Sequence, residues 1–141
     1  MERNLEDARK VLQSQPFSRL VQAEVSRYET DGVELRLPIT DDVKQQHGFV
    51  HGGVLSYLAD NALTYAGGIA LGPMVVTSEY KINYVRPALG QWLLARASVA
   101  HAGRNQAVCR CDVFVVADGV EKLCAVAQGT IARMGAAPQP A

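Results

Sequence analysis

The chain has 141 residues and a mass of 15.2 kDa, with 14 Lys and Arg against 14 Asp and Glu, so its formal charge is zero. A chain of this length reads as one domain whose core needs neither disulfides nor a structural metal. A neutral chain without a Lys/Arg block lacks the field that a phosphate backbone requires, which argues against nucleic acid as a partner. Apolar residues make up 48% and charged residues 20%, above and below the usual shares, which points to buried subunit contacts. Cys109, Cys111 and Cys124 are odd in number and form no CxxC pair, so they read as small core residues in a reducing, cytoplasmic setting. The opening Met1 to Asp7 is polar and acidic, unlike a signal peptide.

In chain order, Leu5, Ala8, Val11 and Leu12 recur at helical spacing after Asn4, which predicts a short N-terminal helix limited by Pro16. From Val21 the period changes to two. Val21, Ala23 and Val25, then Val33, Leu35 and Leu37, flank Asp31-Gly32 and predict a hairpin. A polar stretch over 41–50 leads to Gly52-Gly53 and the long apolar run Val54 to Leu71, a helix enclosed on most sides. As a membrane span the run is barely long enough, and Asp60 and Asn61 sit in its middle. Strands are predicted over Val75–Val85, Trp92–Ala102, Gln106–Val116 and Glu121–Arg133, broken by Pro87 to Gly90, Gly103 to Asn105 and Asp118-Gly119. The fold class is therefore α+β, an antiparallel sheet wrapped around one long central helix with a short N-terminal helix. Residues 1–134 form the domain, and Gly135 to Ala141, with two Pro and no periodicity, read as a disordered tail.

The chemistry concentrates in Gln45-Gln46-His47-Gly48-Phe49-Val50-His51-Gly52-Gly53 and the helix that follows. The first N–H groups of a helix have no intrahelical acceptor and sit at its positive end, and glycine lets a ligand approach them. Asp60 follows about two turns later on an otherwise apolar stretch, where a carboxylate requires a partner or a cleft. Each feature alone has a plainer meaning: a tight helix entry for the glycines, a structural acceptor for Asp60, a helix-entry histidine for His51.

Together, His51-Gly52-Gly53 and Asp60 nine positions after the histidine resemble the signature of PaaI-type hotdog-fold acyl-CoA thioesterases. Thr77 to Ala88 resembles that family's third strand and its Pro-Ala turn, and Gln128-Gly129-Thr130 its last strand, so the likeness spans about residues 20–134. The resemblance implies a hotdog fold and hydrolysis of acyl-CoA thioesters. Asp60 would be the catalytic carboxylate, as general base or nucleophile. Gly53 N–H, with Gly52 near it, would supply the oxyanion hole, and His51 would orient the thioester or fix the turn. Family members often carry Asn six positions before the histidine; here Gln45 stands there with Gln46 beside it, either offering the same amide atoms on a longer arm.

The family's strand-three hydroxyl maps to Thr77, while period two puts Ser78 on the face of Tyr80, so Ser78 competes unless a bulge intervenes. Arg86 and Arg104 are candidates for the coenzyme A phosphates, with Gln46 and Asn61 as further substrate contacts. Phe49, Tyr57, Leu58, Leu63 and Tyr65 could line an acyl pocket or belong to the core. The resemblance further implies a homodimer with sheets joined edge to edge and active sites shared between subunits, commonly doubled to a homotetramer. Coenzyme A enters as part of the substrate, with no other cofactor, metal or membrane partner expected. The competing functions are a non-catalytic acyl-CoA-binding or regulatory hotdog module and a hotdog dehydratase or hydratase. A carboxylate facing the thioester carbonyl argues against a mere binder, and a histidine beside Gly-Gly argues against the dehydratase.

Overall fold

In a computed structural model, which describes residues 4–135, two short helices precede a hairpin, a long helix and four more strands. Helix α1 spans Leu5–Gln13 and is capped by Asn4, whose side chain accepts from Asp7 N–H at 2.9 Å. Helix α1 stops before Pro16, as expected, with Gln15 extended ahead of it, and Pro16 itself occupies the first turn of a second helix, α2 (Pro16–Leu20), where its missing N–H is no loss. Strands β1 (Glu24–Glu29) and β2 (Gly32–Pro38) form the expected hairpin. Val21 and Ala23 are buried but precede β1, because Gln22 takes a φ of 62° and turns the chain into the sheet.

Helix α3 spans Gly52–Leu71, and β3 (Val75–Tyr84), β4 (Trp92–Ala102), β5 (Gln106–Ala117) and β6 (Val120–Arg133) complete the chain. The β5–β6 turn is Asp118-Gly119, with φ of 51° and 80°, the left-handed pair that a two-residue hairpin loop needs. One six-stranded antiparallel sheet results, ordered β1-β2-β4-β5-β6-β3. It curves around α3 as the hotdog arrangement requires. Gly135 lies exposed beyond β6, and the expected disorder of the remaining tail falls outside the described residues.

The core lies between α3 and the inner sheet face, where Leu58, Ala59, Ala62 and Leu63 meet Leu35, Leu93, Val113 and Ile131. Each such leucine contributes about 1.5–3 kcal/mol on burial, which holds the helix rigidly in its trough. Helix and sheet approach closely at Gly67. A Cβ there would lie 2.5 Å from the Ile131 side chain, so only glycine fits. The three cysteines are free thiols in this core, and burial pushes Cys111 up to about 12 and Cys109 and Cys124 to about 11. They are inert packing residues. No described helix is long and apolar enough to cross a membrane.

Two features set up the site. Strand β3 is an edge, paired only with β6. Its register slips between Thr77 and Glu79, so Ser78 is a bulge and Thr77 returns to the helix-facing side.

Candidate active site

Helix α3 starts where the sequence needs it to. His51 is the N-cap, in extended conformation, and its Nδ1 accepts from Gly53 N–H at 3.1 Å. That ring nitrogen therefore carries a lone pair, and the Gly53 donor is occupied. Val54 and Leu55 N–H both reach the His51 carbonyl. Gly52 N–H is the first-turn donor left without an acceptor among the described residues. The structure thus shifts the available donor from Gly53, where the sequence reading put it, to Gly52. The other side of Gly52 is fixed by Tyr84, whose hydroxyl donates to the Gly52 carbonyl at 3.1 Å.

A cleft of about 410 Å³ opens at this turn, lined by Gln45, Phe49, Gly52, Tyr84, Arg86 and Pro87 among others. Its floor and rim come from the loop before α3 and the turn after β3. Gln45 is held by its own loop, its side-chain oxygen accepting from His47 N–H and its backbone N–H bonding Phe49 O at 2.9 Å. Gln46 is exposed outside this cleft.

Asp60 lies two turns along α3, partly exposed, facing β3. Its Oδ1 accepts from Thr77 Oγ1 at 2.7 Å. Thr64, one turn on, completes the group. Its hydroxyl lies 2.9 Å from both Thr77 Oγ1 and the Asp60 carbonyl. Each threonine has one proton: Thr77 gives its own to the carboxylate as a charge-assisted donor, and the Thr64 proton is shared between the Asp60 carbonyl and Thr77 Oγ1. The carboxylate's second oxygen has no protein partner among the described residues. One turn earlier, Ser56 and Tyr80 join α3 to β3 through hydroxyls 2.6 Å apart.

Several sequence candidates lie elsewhere. Asn61 points away from β3, its amide donating to Gln15 Oε1 at 3.2 Å and Tyr57 OH at 3.3 Å. It locks the α1–α2 corner, whose buried Ser18 also meets Tyr57 at 2.5 Å. Leu58 and Leu63 are fully buried core residues, and Tyr65 is buried with its hydroxyl on Ala8 O at 2.9 Å. Of the candidate acyl-pocket residues, Phe49 is the one that lines the cleft. Arg86 lies in the cleft, but Arg104 sits at the other end of the sheet. Its turn is tied to Arg133, which pairs with Val75 at the start of β3, whereas Arg86 follows the end of that strand, about 30 Å away. Thr64, Ser56 and Tyr84 were not singled out from sequence; Ser56 and Thr64 carry a readable signal, standing four residues either side of Asp60 on one helix face.

Residues 47–122 match the model of the thioesterase superfamily, and the chain belongs to that family, whose members are thioester hydrolases. It is 32% identical over 110 residues to a Haemophilus influenzae protein named as an esterase, covering 77% of this chain and 78% of that one. It is 27% identical over 111 residues to the 1,4-dihydroxy-2-naphthoyl-CoA hydrolase of Listeria monocytogenes, covering 77% and 88%. Its fold is that of the Escherichia coli PaaI protein from the phenylacetic acid degradation operon, with a TM-score of 0.79, 24% identity and 92% of each chain covered.

Proposed function

We propose that the protein hydrolyses acyl-CoA thioesters at sites shared between two subunits, each built from the Gly52 turn of one copy and Asp60 of the other. The observation that carries this reading is a separation within one chain. Gly52 and Asp60 are eight residues apart on a straight helix, about 12 Å along its axis, too far to act on the same carbonyl. Both groups are nevertheless prepared for a ligand: an N–H without an acceptor among the described residues at the positive end of a 20-residue helix, and a partly exposed carboxylate held by Thr77. Joining two copies along the free β3 edge, antiparallel, lays the Thr77 end of one strand beside the Tyr84 end of the other, which supplies each half-site with its complement.

In this arrangement the thioester oxygen accepts from Gly52 N–H, where negative charge develops as the carbonyl becomes tetrahedral. Asp60 of the other subunit either activates a water, which adds to the carbonyl and expels coenzyme A as thiol to leave the free carboxylic acid, or attacks the carbonyl carbon itself, expelling the thiol and forming a mixed anhydride on Asp60 that a water then hydrolyses to the acid. Thr77 holds the carboxylate, and His51 fixes the turn that exposes Gly52. The cleft beside Gly52 suits the pantetheine arm, with Arg86 at its mouth for a phosphate. Pairing of the copies also brings the Arg104 turn of one to the same end as Arg86 of the other. The coenzyme A relative from Listeria supports this substrate class, and the buried reduced thiols fit a cytoplasmic enzyme. A panel of aromatic and aliphatic acyl-CoA thioesters, followed by thiol release, tests the reading. Asp60→Asn should lower kcat by roughly 10²–10⁴-fold with an unchanged circular dichroism spectrum; undiminished turnover would overturn it.

A further inference from the structure

We infer that Phe17, on helix α2, is the wall against which the substrate's acyl group packs, so that α2 selects the acyl group while Asp60 acts on the thioester. The inference rests on the hydrolase reading and names a selectivity residue for it. Helix α3 buries Leu58, Ala59, Ala62 and Leu63 against the sheet. Its uncovered strip carries Tyr57, Asp60, Asn61 and Thr64, each half-buried. At 3.6 residues per turn these four lie within about 100° of one another around the axis, with Tyr57 about 60° from Asp60. Strand β3 walls one side of the strip, through Thr77 on Asp60 and Tyr80 on Ser56. The α1–α2 corner walls the other. There Phe17 stands edge-on to Tyr57, with ring centroids 4.9 Å apart and planes at 69°, and Gln15 bonds Asn61.

This second wall is fixed by a closed set of hydrogen bonds. Ser18 is fully buried and gives its one proton to Gln15 Oε1 at 2.6 Å, so the Tyr57 hydroxyl is the donor in its 2.5 Å bond to Ser18 Oγ. The Asn61 amide donates in turn to the Tyr57 hydroxyl. The five-residue helix is thereby tied to α3 beside Asp60, yet the Phe17 ring it carries is 50% exposed. A large apolar ring held in place with one face open is a preorganised contact, since covering it is favourable and its rotamer is already restricted. In the shared site, sulfur and the pantetheine arm leave the carbonyl carbon toward the Gly52 cleft of one copy. The acyl substituent leaves on the opposite side, onto the strip of the copy that supplies Asp60. Helix residues three apart have Cβ atoms about 5–6 Å apart, and the Phe17 ring lies 4.9 Å beyond that of Tyr57, so an apolar acyl group of about six carbons or more reaches it and an acetyl group does not.

Variants at Phe17, assayed on acetyl-, hexanoyl- and benzoyl-CoA, test this. The unaltered chain should favour hexanoyl- and benzoyl-CoA over acetyl-CoA in kcat/KM. Phe17→Ala should lower kcat/KM for those two by about 10- to 100-fold and leave acetyl-CoA within about 2-fold. Phe17→Gln keeps a side chain over Tyr57 and removes its apolarity; it should act alike, which keeps the test open should the alanine variant fold poorly. Phe17→Leu should retain most of the preference. A ring that only supports the fold would lower all three substrates in proportion when removed. That result, an unchanged ratio, or a parent that favours acetyl-CoA would overturn the inference. Calorimetric binding of hexanoyl-CoA against free coenzyme A separates it from hydrolysis. Tighter binding of hexanoyl-CoA that Phe17→Ala abolishes, without turnover in any preparation, would uphold the wall and remove the catalytic reading; equal binding of the two ligands by the parent would overturn the wall.

Discussion

Gly52→Pro removes one atom group and little else. The Gly52 N–H has no acceptor among the described residues, so replacing it by the proline nitrogen breaks no hydrogen bond there. Proline suits the first position of a helix, and the residue before it must be extended; His51, with φ −61° and ψ 134°, already is. A Cβ at Gly52 would meet the Tyr84 ring at 3.5 Å, an ordinary contact. The thermal midpoint should therefore stay within a few degrees of the parent's, corresponding to less than about 1 kcal/mol. Catalysis should respond differently. Loss of an oxyanion donor costs about 3–4 kcal/mol of transition-state stabilisation, or 10²–10³ in kcat, with KM changed much less. Thiol release from an acyl-CoA that the parent hydrolyses, measured over a range of substrate concentrations, separates the two constants. A folded Gly52→Pro protein with parental kcat would refute the assignment of Gly52 as the oxyanion donor. Gly53→Ala is the companion, because the Gly53 N–H is bound to His51 and its added Cβ meets that ring at 3.4 Å; its kcat should fall far less.

Two further predictions concern the groups behind Asp60. Thr77→Val deletes the 2.7 Å donor to the carboxylate, a charge-assisted bond of about 1.5–3 kcal/mol, so kcat/KM should fall roughly 10- to 150-fold while Thr77→Ser retains most activity. Gly67→Ala places a methyl 2.5 Å from Ile131, and because Ile131 pairs with Thr77, the forced shift should lower stability by about 1–3 kcal/mol in urea titration and reduce activity as well; a more stable, fully active protein would contradict the close approach described.

Much of this architecture is readable in the residues because its signals are local. The apolar run ending at Leu71 and the strand periods after Pro73 need no tertiary information, and the elements fall within a few residues of their expected bounds. Where reading fails, a distant partner decides. Pro16 has the same sequence signal whether it ends one helix or begins the next, and α2 exists because it closes over Ser18, Gln15 and Tyr57. Asn61 follows Asp60 in sequence, but one step of 100° around the helix turns it to the opposite flank. Thr77 and Ser78 could not be separated by period alone; the bulge against β6 brings Thr77 to Asp60. The choice between Gly52 and Gly53 depended on the rotamer of His51, which no pattern encodes.

The central claim is that each site takes its donor from one subunit and its carboxylate from the other. Mixing Gly52→Pro with Asp60→Asn after unfolding and refolding tests it. In a random mixture half the dimers are mixed, and each holds one intact site beside one doubly altered site, so activity should recover to about a quarter of the parental value. Activity that stays at the level of the separate variants would contradict the account.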